Sequence, residues 1–354
     1  MTSRRAADQL PHLTLVIATL AIATLAAALA CGDSTSPPDD TRPPGGTAST
    51  IPPGPYVPGR SYTGRNGYIE YVAGNAPLIY TAPHGGDLLP SEIPDRTAAR
   101  CGGSATTSTD LNTEDLVRAM QQRHFARYGT YPHIIINHLA RRKLDANRLD
   151  PEAACGNAAA AIALVEWHAF IDTAKAAVLR TSPRGWYMDM HGHGHTKQRL
   201  EVGYLLTSGQ LGLSDAALNA NRAFQDTASV RTLSEASPLS FTELLRGATS
   251  LGSLYAANGF PAVPSASDPS PGADDYLSGG DDTRRHACGA EASALGGVTG
   301  GMICGVQVES NLTGVRDTPA NRDRFADVTA TVLGQYLSMH WGLSVGLPGS
   351  ARAR

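Results

Sequence analysis

Residues 187–194 read YMDMHGHG, and His195 follows directly. The apolar start of this stretch predicts a buried strand, which ends in histidines that alternate with glycines. Residues 78–90, LIYTAPHGGDLLP, show a shorter form of the same arrangement, with an apolar run before His84 and two glycines. Glycine permits tight turns and close backbone approach, so these glycines indicate a required geometry around the histidines. The two stretches predict strands that end at a site containing His84 and His191.

The regions around these stretches alternate between short β-rich runs and longer helical patterns, which predicts a sheet covered by helices. One helix begins with a capping box, in which Ser240 is followed three residues later by Glu243. The predicted strands are residues 68–72, 78–82, 133–137, 186–190, 201–206 and 302–308; the predicted helices are residues 113–128, 158–180, 214–227, 241–258 and 319–340. We therefore expect one α/β domain over residues 60–342, followed by a flexible tail over residues 343–354.

The first residues predict export. Two arginines precede an uncharged apolar run over residues 13–30, and residues 27–31, AALAC, resemble the lipobox of bacterial lipoproteins. This resemblance implies a signal peptide over residues 1–31, a lipid on Cys31 that holds the protein to the membrane, and a bacterial outer-membrane lipoprotein that faces the periplasm or cell surface. An uncleaved transmembrane anchor is the alternative. Residues 32–59 are rich in Pro, Ser, Thr and Gly and predict a disordered tether.

The charge argues against one class of partner, and the cysteine content predicts disulfides. The formal net charge is −3, and the body has no long basic run. This charge pattern argues against a nucleic-acid-binding surface. Of the five cysteines, four remain after Cys31, an even number that favours two disulfides in an exported protein. Three pairings are possible, and we favour Cys101 with Cys155 and Cys288 with Cys304, because these close the shorter loops.

Three potential metal-site residues follow predicted strands. In a sheet covered by helices, ligands bind beyond the carboxyl ends of strands, and His84, His191 and Glu309 all lie at such ends. Two imidazoles and a carboxylate are the materials of a zinc site. Asp87 follows His84 in an H-x-x-D spacing and is the favoured third ligand, with Glu92 and Asp110 as alternatives.

Residues 140–150, ARRKLDANRLD, concentrate positive charge after a predicted strand. Guanidinium groups suit two-point binding of carboxylates. Asn147 and Arg148 near a metal would therefore bind an acidic end of a substrate. Arg141 of the same cluster is the candidate for stabilising a developing oxyanion.

The motifs APHGGDLLP, RRKLDANR, DMHGHG and GVQVES, in this order, together with DTRRH at residues 282–286, resemble the N-formylglutamate amidohydrolase family and, more distantly, the zinc carboxypeptidases. The resemblance covers residues 78–335. It implies a three-layer αβα fold with a mixed, mostly parallel sheet, as in zinc carboxypeptidases. It also implies a hydrolase of amide bonds that depends on Zn²⁺.

The resemblance further assigns roles to residues. His84 and His191 match the family's histidine ligands, and Asp87 occupies the place of the glutamate in the carboxypeptidase H-x-x-E motif. Glu309 matches the general base. The substrate carboxylate would be bound by Asn147 and Arg148, and by Arg285 and His286 in the DTRRH segment. Asp189 is a candidate for orienting a ligand histidine.

The expected function is hydrolysis of a small acidic amide, such as an N-acyl amino acid or a peptide end, by a monomeric protein outside the cytoplasm. Two alternatives stay open. The chain could be a surface lipoprotein that keeps the fold and only binds a ligand, or the His-Gly run could be a metal-scavenging patch. A lipoprotein that only binds a ligand would not need Glu309 as a general base.

Overall fold

The eight strands form one sheet in a computed structural model that describes residues 51–52, 54–297 and 301–346. The predicted signal peptide with Cys31, most of the predicted tether and most of the predicted tail lie outside these residues. The strands are β1 (Ser61–Thr63), β2 (Ile69–Val72), β3 (Leu78–Ala82), β4 (His133–Asn137), β5 (Gly185–His193), β6 (Leu200–Gly203), β7 (Ala262–Val263) and β8 (Ile303–Asn311).

The sheet is mixed and has a parallel centre. The strand order is β1-β2-β4-β3-β5-β8-β6-β7, in which β4, β3, β5 and β8 are mutually parallel. The outer strands β1, β2 and β6 pair in the antiparallel direction, and β7 is parallel to β6. The carboxyl ends of the four central strands therefore meet at one edge, which is where ligands bind in such sheets.

Helices cover both faces of the sheet. They are α1 (Thr113–Tyr128), α2 (Ala158–Thr181), α3 (Ser208–Leu211), α4 (Asp215–Ala220), α5 (Arg222–Thr227), α6 (Arg231–Ala236), α7 (Phe241–Arg246), α8 (Leu251–Ala257), α9 (Asp281–His286) and α10 (Pro319–Trp341). Helices α1 and α10 pack on one face against Tyr80 and Met188, whereas α2 packs on the other against Ile79 and Tyr187. This alternation along neighbouring positions follows from the two-residue period of a strand. The predicted α/β fold with three layers is confirmed.

Two predicted helices are each broken by a polar cap. The helix predicted over residues 214–227 divides at Asn221, which is extended and accepts a hydrogen bond from the backbone of Phe224. The helix predicted over residues 241–258 divides before Ser250, whose hydroxyl accepts from the backbone of Ser253. Asn and Ser side chains that bond to the nearby backbone favour helix starts over helix interiors. The capping box of Ser240 and Glu243 is present as predicted.

The folded unit extends beyond the predicted limits at residues 60 and 342. Tyr56 packs against the core before β1, and Leu343 and Val345 are buried after α10. The disulfides Cys101–Cys155 and Cys288–Cys304 both form, which confirms the favoured pairing. Within the described part of the chain, no helix combines the length and apolar character that a membrane span requires.

Candidate metal centre

Two histidines meet at the carboxyl edge of the parallel strands. His84 follows β3, and His191 lies within β5, which extends three residues past the predicted end at residue 190. Strands β3 and β5 are parallel neighbours, so their carboxyl ends lie side by side. The Nδ1 atoms of His84 and His191 are 3.2 Å apart, and both residues are buried.

Asp110 completes a group of three. It lies in the loop before α1, and its backbone N–H donates to the carbonyl of His84 at 3.0 Å, which fixes the loop beside the histidine. Its Oδ2 atom is 3.4 Å from Nδ1 of His84 and 3.2 Å from Nδ1 of His191. The sequence pattern favoured Asp87 as the third ligand, with Asp110 as an alternative.

Each imidazole uses its other nitrogen on a second carboxylate. Nε2 of His84 is 2.6 Å from Oδ1 of Asp145, and Nε2 of His191 is 2.9 Å from Oδ2 of Asp189. Both carboxylates are fully buried. A carboxylate at Nε2 fixes the proton there and leaves the Nδ1 lone pair free. The two lone pairs and the Asp110 oxygen therefore converge on one point.

The spacing of these three atoms fits a zinc ion. Tetrahedral coordination at about 2.0–2.1 Å from the ion places neighbouring ligand atoms about 3.3 Å apart. The three measured separations are 3.2, 3.2 and 3.4 Å. Two nitrogens and one carboxylate oxygen, each ring backed by a further carboxylate, are a donor set that suits zinc. The remaining side of the group opens into a pocket, as a catalytic site requires.

The electrostatics of the group also favour a cation. Burial raises the pKa of the Asp110 carboxyl, but His191 and His84 outweigh this effect and hold the pKa well below its usual range. Burial lowers the pKa of His191, yet Asp189 and Asp110 raise it well above its ordinary value. Positive charge between the rings would therefore stabilise the buried carboxylates. A proton or a metal ion would supply that charge.

Asp87 lies elsewhere. Its side chain is exposed and lines a separate pocket with Leu89 and Thr107. The reason is local, because the chain after His84 turns to form a bridge between Leu88 and Leu139, which directs Asp87 outward. The H-x-x-D spacing therefore does not bring this carboxylate to the histidines.

Glu92 lies apart from the histidines too. It is exposed and accepts a hydrogen bond from the hydroxyl of Tyr68. Of the three carboxylates considered from the sequence, Asp110 is the one beside the histidines.

Glu309 lies next to the group on β8, in register with His191 on β5. Its Oε1 atom accepts from the amide of Gln307 at 2.9 Å and lies 4.0 Å from Nδ1 of His191. Its Oε2 atom is buried and has no hydrogen-bond partner among the described residues. Burial raises the pKa of Glu309 to about 7. A carboxyl group with this pKa can take up and release a proton near neutral pH.

The pocket beside Glu309 has a volume of about 400 Å³ and a largely polar lining. The lining includes Arg141, the predicted oxyanion-stabilising residue, and the predicted substrate-binding residues Asn147 and Arg148. Nε of Arg141 donates to Asp145 at 3.0 Å, and its NH1 lies 3.9 Å from Asp110. Asn147 Nδ2 is 3.3 Å from Nε2 of His191. Arg148 bonds to the carbonyl of Asn147, and no carboxylate pairs with it within the described ranges.

Arg285 and His286 do not line this pocket. They belong to α9 and to a buried network in which Nδ1 of His168 is 2.9 Å from Nε2 of His286. Burial lowers the pKa of both histidines well below the ordinary value, and it raises that of Asp282. The backbone N–H of Asp282 donates to Asn147 Oδ1 at 2.8 Å, so this segment supports the pocket from behind.

Three residues that contact the candidate ligands or the pocket residues were not predicted from the sequence. Asp145 lies within residues 140–150 but had no predicted role, although it holds Nε2 of His84. Gln307, two residues before Glu309 on the same face of β8, bonds to Glu309 and to Asn147. Glu201 contacts His195, which lines the pocket. The two-residue alternation of Gln307 and Glu309 on a strand is the one pattern that could have indicated a role for Gln307.

No protein-family model and no curated protein matches the chain. Among solved structures, gene product Atu2144 from Agrobacterium tumefaciens matches with a TM-score of 0.41 at 12% identity, over 77% of this chain and 95% of that chain. An N-formylglutamate amidohydrolase from Ralstonia eutropha matches with a TM-score of 0.39 at 10% identity, over 78% of this chain and 99% of that one. The second structure bears the name of the family that the sequence motifs resemble. At 10–12% identity, both similarities concern the fold.

Proposed function

We propose that the chain is a zinc-dependent amidohydrolase that cleaves the amide bond of a small substrate bearing a carboxylate. The observation that carries this proposal is the convergence of His84 Nδ1, His191 Nδ1 and Asp110 Oδ2 at separations of 3.2–3.4 Å beside the buried Glu309. His84, Asp110 and His191 would hold the ion, with Asp145 and Asp189 orienting the two rings. When bound, zinc would polarise the scissile carbonyl and lower the pKa of a water molecule towards about 7.

Glu309 is the proposed general base. Its Oε2 atom has no hydrogen-bond partner in the described part of the chain, so it is free to accept a proton from water at the open side of the group. The pKa of about 7 that burial gives this carboxyl lies near the working pH, where a general base is most effective. The hydrogen bond from Gln307 holds Oε1 and so fixes the direction of Oε2.

The cationic wall of the pocket defines the proposed substrate class. Arg148 lines the pocket without a carboxylate partner among the described residues, and Asn147 lies between it and His191. A guanidinium group that faces a polar pocket is suited to a substrate carboxylate. Arg141 is already paired with Asp145, so its remaining N–H groups would stabilise negative charge that develops on the scissile oxygen. N-acyl amino acids and peptide ends have the required carboxylate.

A panel of N-acyl amino acids, short peptides and cell-wall muropeptides tests the proposal. Purified protein would be assayed after loading with zinc and after removal of metal with a chelator. We expect hydrolysis of at least one carboxylate-bearing amide, loss of the activity on chelation, and recovery when zinc is restored. A protein that binds a panel member without cleaving it, and that contains no zinc, would instead be a binding lipoprotein.

We also propose that the protein is exported and held to a membrane by a lipid on Cys31, as a monomer. The two disulfides support this location, because disulfides persist in oxidising compartments. Expression in a bacterial host with labelled palmitate tests it. Wild-type protein should carry the label in the membrane fraction, and the Cys31→Ser variant should not. Equal labelling of both would exclude Cys31 as the lipid site.

A further inference from the structure

Three acidic or imidazole side chains form a row across three neighbouring strands. His191 on β5 is in register with Glu309 on β8, and Glu309 is in register with Glu201 on β6. Paired strands lie about 4.8 Å apart, so residues in register present their side chains on one face at that spacing. Glu201 therefore lies on the side of Glu309 that faces away from the candidate zinc ligands.

Glu201 is buried and holds His195. Its Oε1 atom is 2.7 Å from Nδ1 of His195, and its Oε2 atom accepts from the backbone N–H of Leu277 at 2.8 Å. Because Oε2 accepts a hydrogen bond from a backbone amide, Oε1 remains to accept a hydrogen bond from Nδ1–H of the ring. A carboxylate in this position fixes the tautomer and the orientation of an imidazole.

The other ring nitrogen of His195 is available to the pocket. His195 lines the pocket that Glu309 also lines, and its Nε2 atom has no hydrogen-bond partner among the described residues. The backbone of the same loop is fixed, because the N–H of His195 donates to Nδ1 of His193 at 3.1 Å. The ring is thus held on one side and free on the other, as a proton-transfer residue must be.

The cluster of His193, His195 and Glu201 does not suit a second metal ion. Nε2 of His193 is 2.8 Å from the carbonyl of Arg199, and its Nδ1 accepts from the backbone of His195. Both nitrogens of His193 are therefore used within the protein, which leaves no lone pair for an ion. Proton transfer is the role that the geometry leaves to His195.

We propose that His195, positioned by Glu201, donates the proton that the leaving nitrogen requires when the amide bond breaks. This inference rests on the proposed hydrolase function. In the reaction one water is consumed: its oxygen bonds to the carbonyl carbon, Glu309 takes one of its protons, and the C–N bond breaks. The leaving nitrogen takes a proton from Nε2 of the protonated His195 ring. The neutral ring then regains a proton from solvent as Glu309 releases one, so that acid and amine are the net products.

The test compares two leaving groups on one substrate found in the panel. The first is the amide itself, and the second is the thioester in which sulfur replaces the leaving nitrogen. A thiol has a pKa near 8.5 and leaves as the anion, whereas an amine must be protonated to leave. We expect His195→Gln to lower kcat on the amide by roughly 100-fold or more, and to leave kcat on the thioester within about 5-fold of wild type.

Two further variants complete the experiment. Glu201→Gln should give a selective loss on the amide too, of about 10-fold, because the neutral side chain orients the ring less firmly. Lys197→Gln is the matched control on the same loop, since its amine is exposed and pairs with Asp268 and Asp274. It should leave both rates unchanged. All three proteins should contain as much zinc as wild type.

The outcomes separate the two proposals. Absence of turnover of every panel member by zinc-loaded wild type overturns the hydrolase proposal and, with it, the role of His195. Wild-type turnover with equal losses on amide and thioester overturns only the role of His195 as proton donor. So does a His195→Gln variant with a raised KM and an unchanged kcat, which would make His195 a substrate-binding residue.

Discussion

His84 and His191 face each other through their Nδ1 atoms at 3.2 Å, while the Nε2 atom of each ring is held by a buried carboxylate. When each neutral ring carries its proton on Nε2, the two Nδ1 atoms face each other as lone pairs. A proton lies between them only if one ring becomes protonated. Asp110 lies within 3.4 Å of both Nδ1 atoms and adds negative charge. The arrangement is therefore unfavourable without a cation, and its dimensions are those of a zinc site.

Asp110 is expected to be the third zinc ligand. Asp110→Asn replaces a charged ligand with a neutral one, and zinc affinity measured by competition with a chromophoric chelator should fall by more than about 100-fold, because even groups that only orient a ligand contribute 10–100-fold. Asp87→Asn is the control and should bind zinc like wild type. A loss of zinc affinity in Asp87→Asn, with unchanged affinity in Asp110→Asn, would instead identify Asp87 as the third ligand.

Asp189 is expected to matter for zinc affinity without touching the ion. Asp189→Asn keeps the size of the side chain and removes the charge that holds Nε2–H of His191. Zinc affinity should fall by about 10–100-fold. Circular dichroism should show an unchanged fold, because Thr81 can still donate to the remaining oxygen. Undiminished affinity would show that His191 needs no carboxylate to bind zinc.

Glu309→Gln should keep zinc and lose hydrolysis. The amide has nearly the shape of the carboxyl group but cannot accept a proton, so kcat should fall by about 10²–10⁴-fold. Zinc content, measured by mass spectrometry of the metal, should equal that of wild type. A variant with full turnover on the identified substrate would remove Glu309 from the mechanism.

Arg148 should determine the preference for acidic substrates. Arg148→Gln is expected to raise KM on a carboxylate-bearing amide by roughly 10-fold or more, the effect of losing a charge-assisted hydrogen bond worth about 1.5–3 kcal/mol. On the same amide with its carboxylate blocked as a methyl ester, the variant and wild type should differ little. Arg142→Gln, which alters an exposed arginine beside Asp95, should leave both KM values unchanged. Equal effects of Arg148→Gln on the two substrates would contradict the assignment.

His138 should make stability fall with rising pH. Burial lowers the pKa of His138, but hydrogen bonds with Glu114 and Glu70 outweigh burial and raise it from 6.5 to about 9. The folded state therefore binds a proton more tightly than the unfolded state, and the stabilisation is full below pH 6.5 and lost as the pH rises through about 9. Urea unfolding should show His138→Gln destabilised by about 1–3 kcal/mol at pH 6. At pH 10 the difference from wild type should nearly vanish, and a constant difference would contradict the raised pKa.

The fold was largely predictable because the parallel strands are continuous apolar runs. Strands β3 and β4 and helix α1 have the predicted limits, since Gly, Pro or polar residues bound each of them. The edge strands β1 and β7, of three and two residues, were missed. Strands this short are stabilised by their neighbours in the sheet. They are too short to show a hydrophobic period in the sequence.

The candidate site was predictable where a strand end decides position, and not where a loop does. His84, His191 and Glu309 follow from strand ends in a parallel sheet. Asp110 is brought to them by a hydrogen bond from its own backbone to His84 across a loop, which no spacing rule describes. Asp87 has the expected spacing, but the bridge between Leu88 and Leu139 directs it outward. Arg285 and His286 lie on α9 outside the pocket lining, and His286 contacts His168 of α2.

Anomalous diffraction at the zinc absorption edge, from crystals of zinc-loaded protein, tests the central claim most directly. We predict one strong peak about 2.0–2.2 Å from Nδ1 of His84, Nδ1 of His191 and a carboxylate oxygen of Asp110. No peak at this position, or a peak held only by other residues, would contradict the account.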